Sequence, residues 1–173
     1  MVGKTLSDGI LILSPLVPSD AEVWLAGEDE EQRRWFEAPR PAELSDVQRF
    51  IDACQESWRS SGSHRHWGVR SVDSGALLGG VDLRILDLEE VNLSYVVFPP
   101  FRRQGVALRS SRQALDYAAS ELGASRAVIK MLPGNTASRS LAIRLGASYV
   151  GEEPSDAGSV FEVFKVALRL KAN

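Results

Sequence analysis

The chain has 173 residues, of which 44% are hydrophobic and 25% charged, an ordinary composition for a globular protein with a core. Its formal charge of -3 provides no basic field, so neither nucleic acid nor an anionic membrane surface is an expected partner. The single cysteine, Cys54, excludes a disulfide framework and a CxxC redox or zinc site, which suits a reducing compartment.

The N-terminal third is predicted to contain one strand and two helices. Its first 16 residues carry an apolar run too short to span a bilayer and no signal-cleavage site, so we expect a cytoplasmic protein. A strand is predicted at residues 9–14 and a capped helix after it. Ser45 is predicted to cap a second helix, whose apolar side chains recur every three or four residues until Gly62 ends it.

Three strands are predicted next, at residues 66–72, 76–86 and 91–98. The short turns between them indicate an antiparallel meander. Pro99 and Pro100 lack the backbone N–H that pairing requires, so the third of these strands must stop or splay there.

The C-terminal half is predicted to cross over in parallel. A helix over residues 106–122, ended by Gly123, precedes a strand at 125–132 that returns beside the strand at 91–98. A short helix and two more strands complete the chain. We therefore predict one α/β (α+β) domain over residues 1–173, with a mixed, mostly antiparallel sheet of six to seven strands flanked by helices. Its end strands are free to pair subunits, which leaves a homodimer open.

The stretch "FRRQGVALRS" places two arginines and a glycine directly before the helix at 106–122. Free N–H groups and the positive dipole end at a helix start bind anions, and small residues let a phosphate approach the backbone. The spacing Arg102, Gly105, Ala107 therefore predicts a pyrophosphate site. The alternative is a plain helix start with solvated arginines. Neither of the two standard nucleotide-binding glycine motifs is present.

Two segments carry a family resemblance: "YVVFPPFRRQGVA" and, about 28 residues later, "LPGNTASRSLAIRLGA". Together they resemble the GCN5-related N-acetyltransferase (GNAT) superfamily, and within it the branch similar to ribosomal-protein-alanine acetyltransferases. The resemblance implies a sheet splayed between its fourth and fifth predicted strands and acetyl-CoA as co-substrate. It also implies direct acetyl transfer to an amine, with no metal and no covalent cysteine intermediate.

The resemblance assigns the coenzyme contacts residue by residue. The strand residues Tyr95, Val96 and Val97 would offer main-chain bonds to the pantetheine arm. The pyrophosphate would bind to the loop formed by Arg102, Arg103, Gln104, Gly105, Val106 and Ala107. Asn135 matches a family residue that bonds the pantetheine, and Ser138 one that lies near the thioester sulfur. Alternatively, Asn135 and Ser138 simply cap a helix.

The catalytic groups are harder to assign. Many relatives protonate the leaving thiolate with a tyrosine seven residues after the asparagine, and that position is Ala142 here. Ser138 or water must then take the role. Deprotonating a lysine amine at pH 7 costs about 4.6 kcal/mol, whereas an α-amine costs about 1 to 1.4 kcal/mol. A site without a strong base therefore favours an α-amine acceptor.

The sequence has no carboxylate where relatives carry their general base, because the two positions that they use hold Asn92 and Lys130. Glu89 and Glu90 lie just upstream and could act as the base through water, and of the two Glu90 is our candidate; the alternative is that both are solvated turn carboxylates. His64 and His66 lack further metal-ligand spacing, so we expect no metal.

Four residues are predicted to contact the acceptor: Trp35, Phe36, His66 and Ser94. We predict an N-acetyltransferase that acts on a protein N-terminal α-amine or a small-molecule amine. The alternatives are an acyl-CoA-binding sensor without turnover and a nucleotide-binding protein that uses the same anion loop.

Overall fold

The computed structural model describes residues 3–169, which form one eight-stranded sheet with helices packed against it. The strands are β1 (Leu6–Ser7), β2 (Leu11–Ser14), β3 (His64–Ser71), β4 (Leu77–Ile85), β5 (Glu90–Val97), β6 (Arg126–Met131), β7 (Ser148–Pro154) and β8 (Val160–Ala167). Their order in the sheet is β1-β2-β3-β4-β5-β6-β8-β7, and only the β5–β6 pair is parallel. The predicted mixed, mostly antiparallel sheet is confirmed.

In the described part of the chain, five α-helices flank this sheet. They are α1 (Ala21–Ala26), α2 (Glu30–Trp35), α3 (Leu44–Arg59), α4 (Val106–Glu121) and α5 (Thr136–Arg144). Short 3₁₀ turns at Pro18–Asp20 and Pro99–Phe101 precede α1 and the loop before α4. Within residues 3–169, no helix is long and apolar enough to cross a membrane.

Two details differ from the sequence-based expectations. The sheet has eight strands rather than six or seven, because Leu6–Ser7 adds a two-residue edge strand paired with β2. The helix α3 begins one residue before Ser45, and its N-cap is Glu43 instead. The Glu43 N–H donates to Asp46 Oδ2 at 2.9 Å, so the capping contact comes from an acidic pair that was not singled out in the sequence.

The parallel pair β5–β6 separates soon after it forms. Its register covers only Glu90–Asn92 against Arg126–Val128, although both strands continue beyond these residues. The Pro99–Phe101 turn then carries the chain away from the sheet. A wedge therefore opens between the C-terminal ends of β5 and β6, which confirms the predicted splay.

The sheet separates two apolar clusters. Val81 and Leu83 of β4 belong to the larger cluster, which includes the buried face of α4. Leu77 and Phe98 belong to a smaller cluster with residues of α1 and α3. A bulge in β4, where Val69 pairs with Gly79 but Arg70 pairs with Leu77, shifts the strand alternation and turns Leu77 away from the face of Val81 and Leu83. This division places α1 and α3 on one face of the sheet and α4 on the other.

Candidate active site

The loop before α4 presents a row of backbone donors. Arg103 and Gly105 have φ angles of 60° and 79°, which turn the chain so that its N–H groups face outward together. The first helical hydrogen bond is from Arg109 N to Gly105 O, at 3.0 Å. The N–H groups of residues 103–108 have no protein partner among the residues that the structure describes. This is the geometry of an anion site at a helix start.

A cavity of about 620 Å³ extends from this loop into the wedge between β5 and β6. We call it the loop cavity. The predicted coenzyme residues that line it are Tyr95, Val96, Val97, Arg102, Arg103, Gly105, Val106, Ala107, Asn135 and Ser138. Gln104 does not line it, because its side-chain amide turns back to donate to the Pro100 carbonyl at 2.9 Å.

The guanidinium of Arg102 is already engaged by protein groups. Its Nη1 and Nη2 atoms lie 2.7 and 2.9 Å from the two carboxylate oxygens of Asp29, and Nη1 also lies 2.8 Å from Glu31 Oε2. Its Nε donates to the Val97 carbonyl at 3.0 Å. Arg102 therefore ties α2 to the splayed end of β5, while the exposed Arg103 keeps its charge free for an anion.

We expect Arg102→Gln and Arg103→Gln to affect different properties. Arg102→Gln leaves Asp29 and Glu31 without their partner and should cost about 1 to 2 kcal/mol of stability, after a discount for partial solvent exposure. Arg103→Gln should change stability by less than about 0.5 kcal/mol and weaken CoA binding about fivefold. Urea unfolding and CoA titration of both variants measure this, and equal unfolding midpoints would contradict it.

The same ion pair has a pH signature. Arg102 holds the pKa of Asp29 below its usual value. A lowered folded-state pKa contributes stability that is present above the unfolded-state pKa and is lost as pH falls through the folded-state pKa. Arg102→Gln should therefore lose less stability on acidification than the parent protein does.

Tyr95 and Ser138 meet where the loop cavity reaches the middle of the sheet. Tyr95 lines this cavity and both further cavities described below. Its hydroxyl is buried and makes no hydrogen bond of normal geometry among the described residues. Burial raises the pKa of Tyr95, and the neighbouring Ser138 hydroxyl offsets part of that rise. The phenol therefore keeps its proton at neutral pH and can donate it to a ligand.

A second cavity, of about 460 Å³, lies on the face covered by α1 and α3. We call it the aromatic cavity; its lining includes Trp24, Phe36, Phe50, His66, Asp82 and Ser94. The ring centroids of His66 and Phe50 are 4.9 Å apart, and those of His66 and Trp24 are 5.6 Å apart. A Cβ at Gly80 would lie 2.5 Å from the Trp24 ring, so glycine is what lets Trp24 approach the sheet.

A third cavity, of about 450 Å³, opens on the other side of Tyr95. We call it the polar cavity; its lining includes Arg84, Asn92, Lys130, Glu153 and Asp156. Lys130 and Glu153 form an ion pair across it. Phe36 lines all three cavities, whereas Trp35 lines only the loop and polar cavities. The three spaces therefore converge on Tyr95 and Phe36.

Comparison with known proteins decides the family. The family model of the acetyltransferase (GNAT) domain matches residues 11–148, which is most of the chain. The matched range includes the loop, the wedge and the whole lining of the loop and aromatic cavities, whereas Glu153 and Asp156 of the polar cavity lie beyond it. The chain belongs to the GNAT family. The predicted superfamily and the predicted enzyme class, an acetyl-CoA-dependent N-acetyltransferase, are confirmed.

Solved GNAT structures show the same fold at low identity. A Vibrio cholerae protein proposed to be a ribosomal-protein-serine acetyltransferase has a TM-score of 0.82 at 20% identity, with 96% of this chain and 99% of that chain covered. RimL, a ribosomal L7/L12 α-N-protein acetyltransferase solved with coenzyme A, has a TM-score of 0.83 at 12% identity, with 95% and 98% covered. At these identities the likeness is one of fold.

A third neighbour is a microcin C7 self-immunity acetyltransferase, MccE, in complex with acetyl-CoA and AMP. It has a TM-score of 0.79 at 17% identity, with 93% of each chain covered. A search of curated protein sequences returned no significant match.

Within this GNAT fold, Glu90 is not brought to the site. Its carboxylate lies 2.8 Å from Lys165 Nζ and 3.3 Å from Arg126 Nε, and these cations hold its pKa below the usual value. Glu90 lines none of the three cavities. The proposed base is therefore a structural ion-pair partner at the start of β5, because β8 supplies a lysine that sequence spacing did not reveal.

The GNAT site contains a carboxylate that the sequence analysis missed. Asp82 lies on β4 opposite His66 of β3 and opposite Ser94 of β5, so the three side chains form one row across the sheet. The feature of the sequence that could have indicated it is an acidic residue between two apolar strand residues, Val81 and Leu83, which are both fully buried. Strand alternation turns Asp82 to the opposite face, toward the aromatic cavity.

Cys54 of α3 also lines the aromatic cavity, but its environment makes it inert. Burial, with a smaller contribution from the negative charge of Asp82, raises the pKa of the Cys54 thiol to about 12. We expect iodoacetamide at pH 8 to modify the folded protein at least about 100-fold more slowly than the urea-unfolded chain, because the thiolate is the reactive form. Mass spectrometry measures this, and equal rates would contradict it.

Proposed function

We propose that this GNAT enzyme transfers the acetyl group of acetyl-CoA to the α-amine at the N-terminus of a protein or peptide. The observation that carries the proposal is the convergence of three cavities on Tyr95 and Phe36. The loop cavity suits the coenzyme. The aromatic cavity has apolar walls and, among the described residues, a single carboxylate, and the polar cavity extends from Tyr95 and Phe36 between polar walls. A peptide would place its first residue in the aromatic cavity and its following residues along the polar cavity.

The coenzyme would bind through backbone groups. The free N–H groups of residues 103–108 suit the pyrophosphate, and Arg103 adds a charge beside them. The wedge leaves the end of β5, at Tyr95–Val97, without a β6 partner for its main-chain groups, and the pantetheine amides could pair there. Asn135 Oδ1 accepts a hydrogen bond from Ser138 N at 3.1 Å, so Asn135 caps α5. Its side-chain amide nitrogen remains available as a donor to a ligand in the loop cavity, which Asn135 lines.

The leaving thiolate would be met by two hydroxyl groups. A CoA thiol, with a pKa near ~8.5, needs only modest assistance at neutral pH. Tyr95 and Ser138 are neighbours at the inner end of the loop cavity, and the buried Tyr95 hydroxyl makes no hydrogen bond of normal geometry within the described part of the chain. Together they replace the tyrosine that relatives place on the helix where this chain has Ala142.

The charge of the aromatic cavity favours an acceptor molecule that carries a single amine. Among residues 3–169, Asp82 is the one carboxylate in its lining, and Trp24, Phe36 and Phe50 supply apolar wall. A polyamine or an aminoglycoside would bring several charges into this apolar space without partners, which is costly. An α-amine flanked by one apolar side chain fits better. A small monoamine is the second candidate, because the aromatic cavity alone could hold it.

The test is a panel of acceptors incubated with acetyl-CoA while free CoA thiol is measured. Matched peptides would carry a free N-terminus without lysine, a blocked N-terminus with lysine, or both groups blocked, and small monoamines would complete the panel. We expect turnover with the free N-terminus and none with the blocked peptides. Turnover only with lysine peptides would overturn the proposal. Binding of acetyl-CoA without turnover on any amine would instead indicate the sensor alternative.

A further inference from the structure

His66, Asp82 and Ser94 form a polar row in an otherwise apolar part of the protein. The sheet register pairs His66 with Asp82 and Asp82 with Ser94, so the three side chains share one face of β3, β4 and β5. All three line the aromatic cavity, where Trp24 and Phe50 pack against the His66 ring. The His66 and Asp82 side chains are only 12% and 17% exposed.

Two atoms of this row are buried without a hydrogen-bond partner among the described residues: His66 Nε2 and Asp82 Oδ1. Buried polar atoms in folded proteins are nearly always hydrogen-bonded, so unpaired atoms that share a cavity indicate a missing ligand group. A carboxylate oxygen only accepts hydrogen bonds, and an imidazole nitrogen can accept a proton. The ligand group that satisfies both is a donor, and an ammonium group carries three donor hydrogens.

We propose that His66 is the base that removes a proton from the acceptor ammonium, and that Asp82 positions His66 and stabilises its charged form. This inference rests on the proposed function, since it assumes an amine acceptor in the aromatic cavity. His66 Nδ1 lies 3.6 Å from Asp82 Oδ1, beyond a hydrogen bond but close enough for an ion pair once the imidazole is charged. Nε2, on the other side of the ring, is buried beside Gly80 where the Trp24 ring packs, and it is the atom that we assign to the acceptor.

The proton balance of the transfer follows from this assignment. The acceptor enters as R–NH₃⁺, and one proton moves to His66. The nitrogen lone pair then forms a bond to the thioester carbonyl carbon, and the carbon–sulfur bond breaks with its electron pair on sulfur. The second proton on nitrogen ends on the thiolate, and His66 returns its proton to solvent. The products are the acetylated amine, CoA thiol and one proton.

Few other groups can titrate near the pair. Cys54 faces it from α3 as a neutral thiol, because burial raises the pKa of Cys54 to about 12. From β5 come the neutral Ser94 and Tyr95, whose pKa is also raised by burial, and α2 contributes the uncharged Gln32. His64, on the same strand, is the other titratable residue of the lining. No lysine or arginine lines the aromatic cavity in the described part of the chain.

The experiment compares pH profiles of kcat for the parent enzyme, His66→Gln, Asp82→Asn and Asp73→Asn, with a free-N-terminus peptide as acceptor. Asp73 is an exposed turn residue that lines none of the three cavities, so it offers a matched control for loss of a carboxylate. We expect His66→Gln to lower kcat at pH 7 about 100-fold and to change the shape of its pH profile. Asp82→Asn should change the shape of the profile as well and lower kcat less, about tenfold, because its carboxylate acts through His66. Asp73→Asn should keep the profile of the parent enzyme.

CoA titration of each variant shows whether it is folded. A folded His66→Gln enzyme with the kcat profile of the parent would overturn the inference, as would an Asp82→Asn enzyme with that same profile. If the parent enzyme itself acetylates no amine, the proposed function fails first. If it acetylates the peptide and His66→Gln does so equally well, only the assignment of the base fails.

Discussion

Tyr95→Phe is expected to lower kcat about 100-fold while leaving the Kd of CoA unchanged within about twofold. The variant removes one buried hydroxyl that has no hydrogen bond of normal geometry among the described residues, so its loss leaves no protein partner unsatisfied. The ring, which packs against the main core, remains in place. A change confined to kcat is therefore the mark of a group that acts on the leaving thiolate rather than on coenzyme affinity.

Steady-state kinetics and a CoA titration test this, and the chain offers a matched control. Tyr149 is 51% exposed on the edge strand β7 and lines none of the three cavities, so Tyr149→Phe removes the same hydroxyl outside them. It should keep the kcat of the parent enzyme. A 100-fold loss corresponds to about 2.7 kcal/mol of transition-state stabilisation. If Tyr95→Phe and Tyr149→Phe turn over equally fast, Tyr95 is not the proton donor.

Gly105→Val is expected to weaken CoA binding about 100-fold. The φ angle of Gly105 is 79°, a conformation that a β-branched residue adopts at a cost of about 1 to 2 kcal/mol. A Cβ built at Gly105 has no protein atom within 4 Å, so it would project into the open space before the N–H groups of the loop. The substitution therefore blocks the approach of a diphosphate and misaligns its donors without a clash inside the protein.

Gly123→Val separates backbone strain from loss of the anion site. Gly123 follows α4 at its other end, has a φ of 70°, and likewise has open space where a Cβ would lie. Both variants should lose a similar free energy of unfolding, measured in urea. Only Gly105→Val should lose affinity for CoA, measured by calorimetry. Equal CoA affinities for the two variants would remove the loop from the binding site.

The parts of the fold that could be predicted are those encoded locally. The loop from Arg102 to Ala107 is contiguous in sequence, so its glycine, its arginines and the helix after it can be recognised together. Pro99 and Pro100 likewise indicate the splay of β5 without any tertiary information. The helix α2, by contrast, shows in the sequence only as a charged segment ending in aromatic residues. Asp29 caps it by accepting from Gln32 N at 2.9 Å, and Arg102, 73 residues away, holds the same carboxylate.

The parts of the site that could not be predicted depend on pairing between distant strands. Asp82 becomes a site residue only because the register sets it beside His66, and nothing within the segment "GGVDLRI" gives that register. Glu90 was a reasonable base by its position before Tyr95. The pairing of β6 with β8 then places Lys165 beside it and removes it from the chemistry. Long-range neighbours decide the role of a carboxylate.

The most direct test of the account is a calorimetric comparison of three ligands with the intact protein: CoA, dephospho-CoA and pantetheine. If backbone donors at residues 103–108 hold the diphosphate, dephospho-CoA should bind within about tenfold of CoA, and pantetheine, which lacks the diphosphate, at least about 100-fold more weakly. Pantetheine binding as tightly as CoA would contradict the central claim.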